Sequence, residues 1–192
     1  MNFRIGLIGV GNMGYPLLKH ILNANSKKVN LFLEKHMYTS FKNKFNNVSL
    51  YKNPDINEFV SNSDLVVSIL PNSYITLNLI QSIPSTENKK YWLDLTSSCP
   101  KDVSTMNAIL NRKNIMYMDA PVSGGPAGIK NKTVSTILSG PKEIQRYTKD
   151  FIQLYAKNIY YISEIPGQAS HVKLANNTLL ALHLITNAEV FK

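Results

Sequence analysis

Ile5-Gly6-Leu7-Ile8-Gly9-Val10-Gly11-Asn12-Met13-Gly14 decides how this chain folds. Its first six residues form a continuous apolar run, the pattern of a strand buried on both faces of a parallel sheet. The run enters a glycine-rich turn, after which Leu17, Leu18, Ile21 and Leu22 recur at helical spacing and predict a helix from about Gly14 to Leu22. Strand, glycine turn and helix together are the context in which G-x-G-x-x-G acquires a physical meaning. Gly9 permits the tight turn, Gly11 lets the backbone approach a pyrophosphate, and Gly14 lets the helix pack closely on the strand. The helix N-terminus then faces the phosphate charge. Gly9, Gly11 and Gly14, with Asn12 and Met13 between them, are therefore expected to hold the phosphates of a dinucleotide.

Outward from this turn, Val29 to Leu33 reads as a second strand, and Glu34 stands twenty residues after Gly14 at its end. An acidic side chain there accepts hydrogen bonds from ribose hydroxyls and repels a 2′-phosphate, which favours NAD. Lys35 and His36 beside it would stabilise that phosphate instead, so NADP stays open. Tyr38 to Phe45 reads as a helix with Phe41 and Phe45 four residues apart, and Asn53-Pro54 as an N-cap and first turn of a short helix through Phe59 and Val60. Leu65 to Leu70 is the next strand, followed by a helix around Ile75 to Ile80 and a strand at Tyr91 to Leu93. Pro100 opens a helix carrying Val103, Met106, Ile109 and Leu110, and Ile115 to Met118 is a strand. Beyond a glycine-rich loop at Ser123 to Gly128 come a strand at Val134 to Leu138, a helix at Pro141 to Tyr155 and a strand at Ile159 to Ile162. A helix from about Ala169 to Lys192 ends the chain. The alternation predicts an α/β fold of the Rossmann type: a doubly wound, mostly parallel sheet followed by a long C-terminal helix.

Composition limits the rest. At 192 residues, 44% hydrophobic and 17% charged, the chain has an ordinary globular balance and room for one sizeable core. The net charge of +9 comes from lysines scattered in ones and twos, as at Lys27, Lys28, Lys42, Lys44, Lys89 and Lys90. Nucleic-acid binders carry a basic stripe with interleaved aromatics, so the excess reads as solubility and no nucleic-acid partner is expected. The single Cys99 excludes an intrachain disulfide, and His20, His36, His171 and His183 lack metal-ligand spacing, so no metal is expected. Met1-Asn2-Phe3-Arg4 leads straight into the first strand without a signal or transit pattern, and no apolar stretch approaches a membrane span. A cytoplasmic address follows, with no membrane partner; a mitochondrial one would need a transit segment that is not visible.

Three stretches resemble the β-hydroxyacid dehydrogenase family, the group of 3-hydroxyisobutyrate dehydrogenase and the semialdehyde reductases. The first is Gly9 to Gly14 with Tyr15-Pro16. The second is Asp119-Ala120-Pro121-Val122-Ser123-Gly124-Gly125-Pro126-Ala127-Gly128, similar to the family's substrate loop. The third is Gly167-Gln168-Ala169-Ser170-His171-Val172-Lys173-Leu174-Ala175-Asn176-Asn177, similar to its catalytic segment. The resemblance implies that Ser123, Gly124 and Gly125 bind a substrate carboxylate, an arrangement of free amides and a hydroxyl that suits an anion. It implies that Lys173 is the catalytic acid–base group; Asn177, four residues on, shares its helix face and so can converge on the same substrate oxygen. Ile69-Leu70-Pro71-Asn72 and Asp94-Leu95-Thr96-Ser97-Ser98-Cys99-Pro100 are weaker matches, implying that Leu70 and Pro71 lie along the cofactor and that Thr96 or Ser97 flanks the nicotinamide.

Ala169 and Lys132 stand where the family usually has glycine, and the sequence stops within what would be the interdomain helix. The expected organisation is a dinucleotide-binding domain over 1–165 and the start of that helix over 166–192, with the C-terminal helical domain absent. The implied activity is hydride transfer between NAD or NADP and a small β-hydroxy acid or its semialdehyde. The alternative is an NAD(P)-binding protein with little or no catalysis, and a homo-oligomer would cover the apolar surface of the last helix.

Overall fold

The computed structural model describes residues 3–24, 28–42, 44, 45 and 47–191. Met1, Asn2, Lys27 and Lys192, which enter the expectations above, lie outside them. Strand β1 (Ile5–Ile8) runs into the glycine turn and helix α1 (Gly14–Ala24), and β2 (Val29–Leu33) returns parallel to β1. Then follow α2 (Lys35–Phe41), β3 (Val48–Lys52), α3 (Ile56–Ser61), β4 (Leu65–Ser68), α4 (Ser73–Ser82), β5 (Lys90–Asp94), α5 (Pro100–Arg112) and β6 (Ile115–Asp119). These six strands lie in the order β3-β2-β1-β4-β5-β6, all parallel. The chain continues through β7 (Val122–Ser123), α6 (Gly125–Lys130), β8 (Val134–Ser139), α7 (Lys142–Ile152), β9 (Ala156–Ser163) and α8 (Gln168–Val190). β8 pairs antiparallel with β6 and β7 and parallel with β9, extending the sheet past β6.

Period-two alternation divides the core between the two faces of the sheet. Leu7, Val67, Leu93 and Met118 face one layer with Leu17, Leu18 and Ile21 of α1. Ile8, Val66, Trp92 and Tyr117 face the other, with Phe59 of α3 and Val103, Met106 and Leu110 of α5. Strands β1 and β4 are buried at every residue, which is why they read as unbroken apolar runs rather than as alternating ones. Among the described residues no helix is long and apolar enough to cross a membrane, and no group of three or more His, Cys, Asp or Glu could hold a metal ion.

Several local expectations need correction. The first strand ends at Ile8, not Val10, because Gly9 takes φ +94° and turns the chain. The second helix spans Lys35–Phe41, beginning three residues before the expected Tyr38, and Glu34 stands at its N-cap in extended conformation. Asn53-Pro54 does not open α3: the bond is cis, both residues lie in a turn, and the helix starts at Ile56 after Asp55. Strand β3 was not anticipated. It sits at the sheet edge with every residue half-buried, so neither a fully apolar run nor clean alternation marks it. The stretch Ser123 to Gly128, expected as a loop, supplies the end of β7 and the first turn of α6.

Candidate functional site

The strand order reverses between β1 and β4, and there the loops after neighbouring strands diverge to open a cleft at the C-terminal edge of the sheet. The cleft holds about 780 Å3. Its lining includes Gly9, Gly11, Asn12, Met13 and Gly14 after β1, Glu34 after β2, and Leu70 and Pro71 after β4. Ile8, Phe32, Ile56, Ile69 and Leu79 give it apolar walls.

The three glycines divide the work. A Cβ on Gly9 would meet the Ile69 carbonyl oxygen at 2.2 Å, and one on Gly14 would meet the Gly9 carbonyl oxygen at 1.7 Å. Both therefore hold α1 against the strands. A Cβ on Gly11 would meet nothing within 4 Å and would instead project into open space above the turn. That space at the start of an 11-residue helix suits a pyrophosphate lying against bare backbone. Gly11→Ala is expected to fold with an unchanged Tm and to weaken dinucleotide binding by roughly tenfold, about 1.4 kcal/mol. Calorimetric titration with NAD and NADP measures this, and parent-like affinity would show that the phosphates lie elsewhere.

Glu34 and His36 are exposed at the cleft mouth, with Glu34 Oε2 3.3 Å from His36 Nδ1. Thr96 is buried, and its Oγ1 accepts the Leu70 N–H at 3.0 Å, fixing the Leu70-Pro71 wall. Ser97 is exposed next to it. Thr96 is itself anchored by Asp94, whose Oδ1 accepts the Thr96 N–H at 3.1 Å and the Ser68 hydroxyl at 2.8 Å. Trp92 Nε1 donates to Ser68 Oγ, and the Tyr117 hydroxyl donates to Asp94 Oδ2 at 3.1 Å. Burial pushes the Asp94 carboxyl above the usual range against the pull of these donors.

A second group of residues hangs from β6 and β8. Ser123 is half-buried and pairs with Ser135 of β8, and Gly124 and Gly125 take φ +129° and +64°, a left-handed path that favours glycine. Lys132, in the family's glycine position, also has positive φ, +57°. Lys173 lies in the second turn of α8, 7% exposed, and forms no hydrogen bond or ion pair with any described residue. Burial holds its ammonium below the ordinary lysine value. Asn177, one turn on, is exposed, as is His171. The structure thus joins Gly9 to Gly14, Glu34, Leu70 and Pro71 around one cleft, with Thr96 behind its wall. Ser123 to Gly125 and Lys173 lie outside that cleft's lining, on elements that meet at the ends of β6 and β8.

Two residues escaped the sequence reading. His20 Nε2 donates to the Ile129 carbonyl at 2.8 Å, tying α1 to α6 and so the glycine turn to the Ser123 turn. Asp119, at the end of β6, is buried and accepts the Gly167 and Ser170 N–H groups at 2.9 and 3.0 Å. The available signal for Asp119 was an acidic residue ending a buried strand, which needs buried donors.

A doubly wound parallel sheet with a glycine turn at its switch point defines a nicotinamide-dinucleotide-binding α/β domain. The chain belongs to the family of the NAD-binding domain of 6-phosphogluconate dehydrogenase, whose model matches residues 4–163, and it is of the β-hydroxyacid dehydrogenase type. It is 27% identical to an uncharacterised oxidoreductase of Bacillus subtilis, over 98% of the chain and 65% of the relative. It is 26% identical to the mitochondrial 3-hydroxyisobutyrate dehydrogenase of Drosophila melanogaster, over 96% of the chain and 56% of the relative. The structure of Mycobacterium tuberculosis 3-hydroxyisobutyrate dehydrogenase with L-serine superposes with a TM-score of 0.86 at 23% identity, covering 100% of this chain and 64% of that one. The chain therefore spans between about half and two thirds of the length of these relatives.

Proposed function

We propose that this chain carries the cofactor site and the acid–base residue of an NAD(P)-dependent dehydrogenase acting on the CH–OH group of a small β-hydroxy acid, of the 3-hydroxyisobutyrate kind. The observation that carries this reading is Lys173, a residue 7% exposed whose amine has no hydrogen-bond or ion-pair partner among the described residues. An ammonium without a partner is costly to bury, and such a group is a candidate for proton transfer. Residues 1–165 would form the cofactor domain and 166–192 the start of a separate helical unit, consistent with the exposure of every residue from Leu174 to Phe191.

The nicotinamide, when bound, accepts or returns the hydride. Gly9, Gly11, Asn12, Met13 and Gly14 hold its phosphates, and Leu70 and Pro71 line its path with Thr96 bracing them. Ser97 offers a free hydroxyl at the same edge. Glu34 accepts from the ribose hydroxyls and repels a 2′-phosphate, which makes NAD the preferred form. Ser123, Gly124 and Gly125 fix the substrate carboxylate through a hydroxyl and unhindered amides. Lys173 removes the hydroxyl proton during oxidation and returns it during reduction, while Asn177 donates to the same oxygen.

Incubation of the chain with 3-hydroxyisobutyrate and either dinucleotide tests this directly. NADH should accumulate, with kcat/KM higher for NAD than for NADP. Tight NAD binding without turnover of any small β-hydroxy acid would leave the alternative, an NAD(P)-binding protein without catalysis.

A further inference from the structure

We propose that Asp119 is a positioning residue: its carboxylate docks the first turn of α8 on the ends of β6 and β8 and so holds Lys173 in place. The inference rests on the dehydrogenase reading for what Lys173 does, but not for where Lys173 is held.

Asp119 is 1% exposed and its two oxygens face four donors. Oδ1 accepts the Gly167 N–H at 2.9 Å and the Ser139 hydroxyl; Oδ2 accepts the Ser170 N–H at 3.0 Å and the Ser170 hydroxyl at 3.1 Å. Ser139 Oγ in turn accepts the Ala169 N–H at 2.8 Å. Amides at a helix start have no partner within the helix, and here those of Gly167, Ala169 and Ser170 are all taken by side chains from β6 and β8. The carboxylate also meets the positive end of the helix dipole. An asparagine could not replace it, because its own N–H groups would oppose two of the converging donors.

Lys173 follows Ser170 by three residues and shares its helix face. Ala169, Ser170 and Lys173 are the buried residues of α8, and from Leu174 onward every described residue of the helix is exposed. The helix is thus gripped by its first turn, and a shift of that turn carries the amine of Lys173 with it. Asp94 supplies an internal contrast. It lies in register with Asp119 across the β5–β6 pair, but it braces Thr96 and, through Thr96, the Leu70 amide of the cofactor cleft. One carboxylate supports the cofactor wall and the other supports α8.

The experiment follows the Lys173 side chain by NMR titration of the 192-residue chain with 13C-labelled lysine, alongside kcat, KM and dinucleotide Kd. In Asp119→Asn the Lys173 midpoint should rise from its depressed value to the ordinary lysine range. kcat should fall on the order of 10²-fold, as for a misplaced reacting group. Dinucleotide Kd should stay within about twofold of the parent, since the cleft does not share these contacts. Asp94→Asn should do the reverse, weakening dinucleotide binding and leaving the Lys173 midpoint unmoved. Phe59→Leu, a core truncation in α3 against β2 and β3 at the opposite end of the sheet, should lower Tm without moving the midpoint. Where Asp119→Asn does not fold, Ser139→Ala is read instead and should shift the midpoint in the same direction by less. The inference is overturned if the Lys173 midpoint in these Asp119 or Ser139 variants equals the parent's, or if Phe59→Leu moves it as far. A parent chain without turnover would overturn the dehydrogenase reading alone, because the titration still reports where Lys173 is held.

Discussion

With Lys173 in the proposed acid–base role, Lys173→Ala is expected to lower β-hydroxy-acid turnover by about 10³-fold, within the range contributed by a positioned acid–base group, without lowering Tm. The second half of this expectation follows from burial. The ammonium is desolvated and unpartnered among the described residues, so its removal relieves a penalty rather than breaking a bond. The sign of the pH dependence follows from the same group. In that proposed role oxidation needs the neutral amine to accept a proton, so its rate is expected to rise with pH through the Lys173 midpoint, which burial places below the ordinary lysine value. Reduction needs the ammonium, so its rate falls over that interval. Initial rates in both directions across neutral and alkaline pH measure this. An alanine variant that retains parent turnover would remove Lys173 from the mechanism.

Gly14→Ala is expected to destabilise the fold by about 4 kcal/mol or more, an exceptional size for one methyl group. The added Cβ would stand 1.7 Å from the Gly9 carbonyl oxygen and 2.8 Å from its carbon, and both are backbone atoms of the turn itself. No rotamer change relieves such a contact, so α1 must move away from β1 and the buried Leu17, Leu18 and Ile21 lose their packing. Urea denaturation followed by far-UV circular dichroism reads the loss, and a parent-like midpoint would mean that the turn opens freely. The contrast with Gly11→Ala is expected to separate two tasks of one motif, folding at Gly14 and dinucleotide binding at Gly11.

Much of this was readable before any coordinates. The turn from β1 into α1 is written in adjacent residues, and β2, with its apolar run bounded by polar segments, falls at Val29–Leu33 as expected. That Gly9, Gly11, Gly14, Glu34, Leu70 and Pro71 line one cleft was also legible, because each follows a strand and parallel strands bring those ends to one edge. Strand β3 was not, since an edge strand half-buried throughout leaves no periodic trace. Helix α6 was hidden by Gly125, Pro126 and Gly128, poor helix formers in general, although Pro126 in a first turn was a usable signal.

What the chain's order of residues settled alone was the alternation of strands and helices and the glycine turn from β1 into α1, because both arise from contacts between residues close together in sequence. What only the tertiary structure decided was the work of Asp94, Asp119, Ser139 and His20. Asp119 meets Ser170 across 51 positions and His20 meets Ile129 across 109. No local period encodes such pairings; they exist only once the sheet has closed and a buried donor and acceptor must satisfy each other away from water.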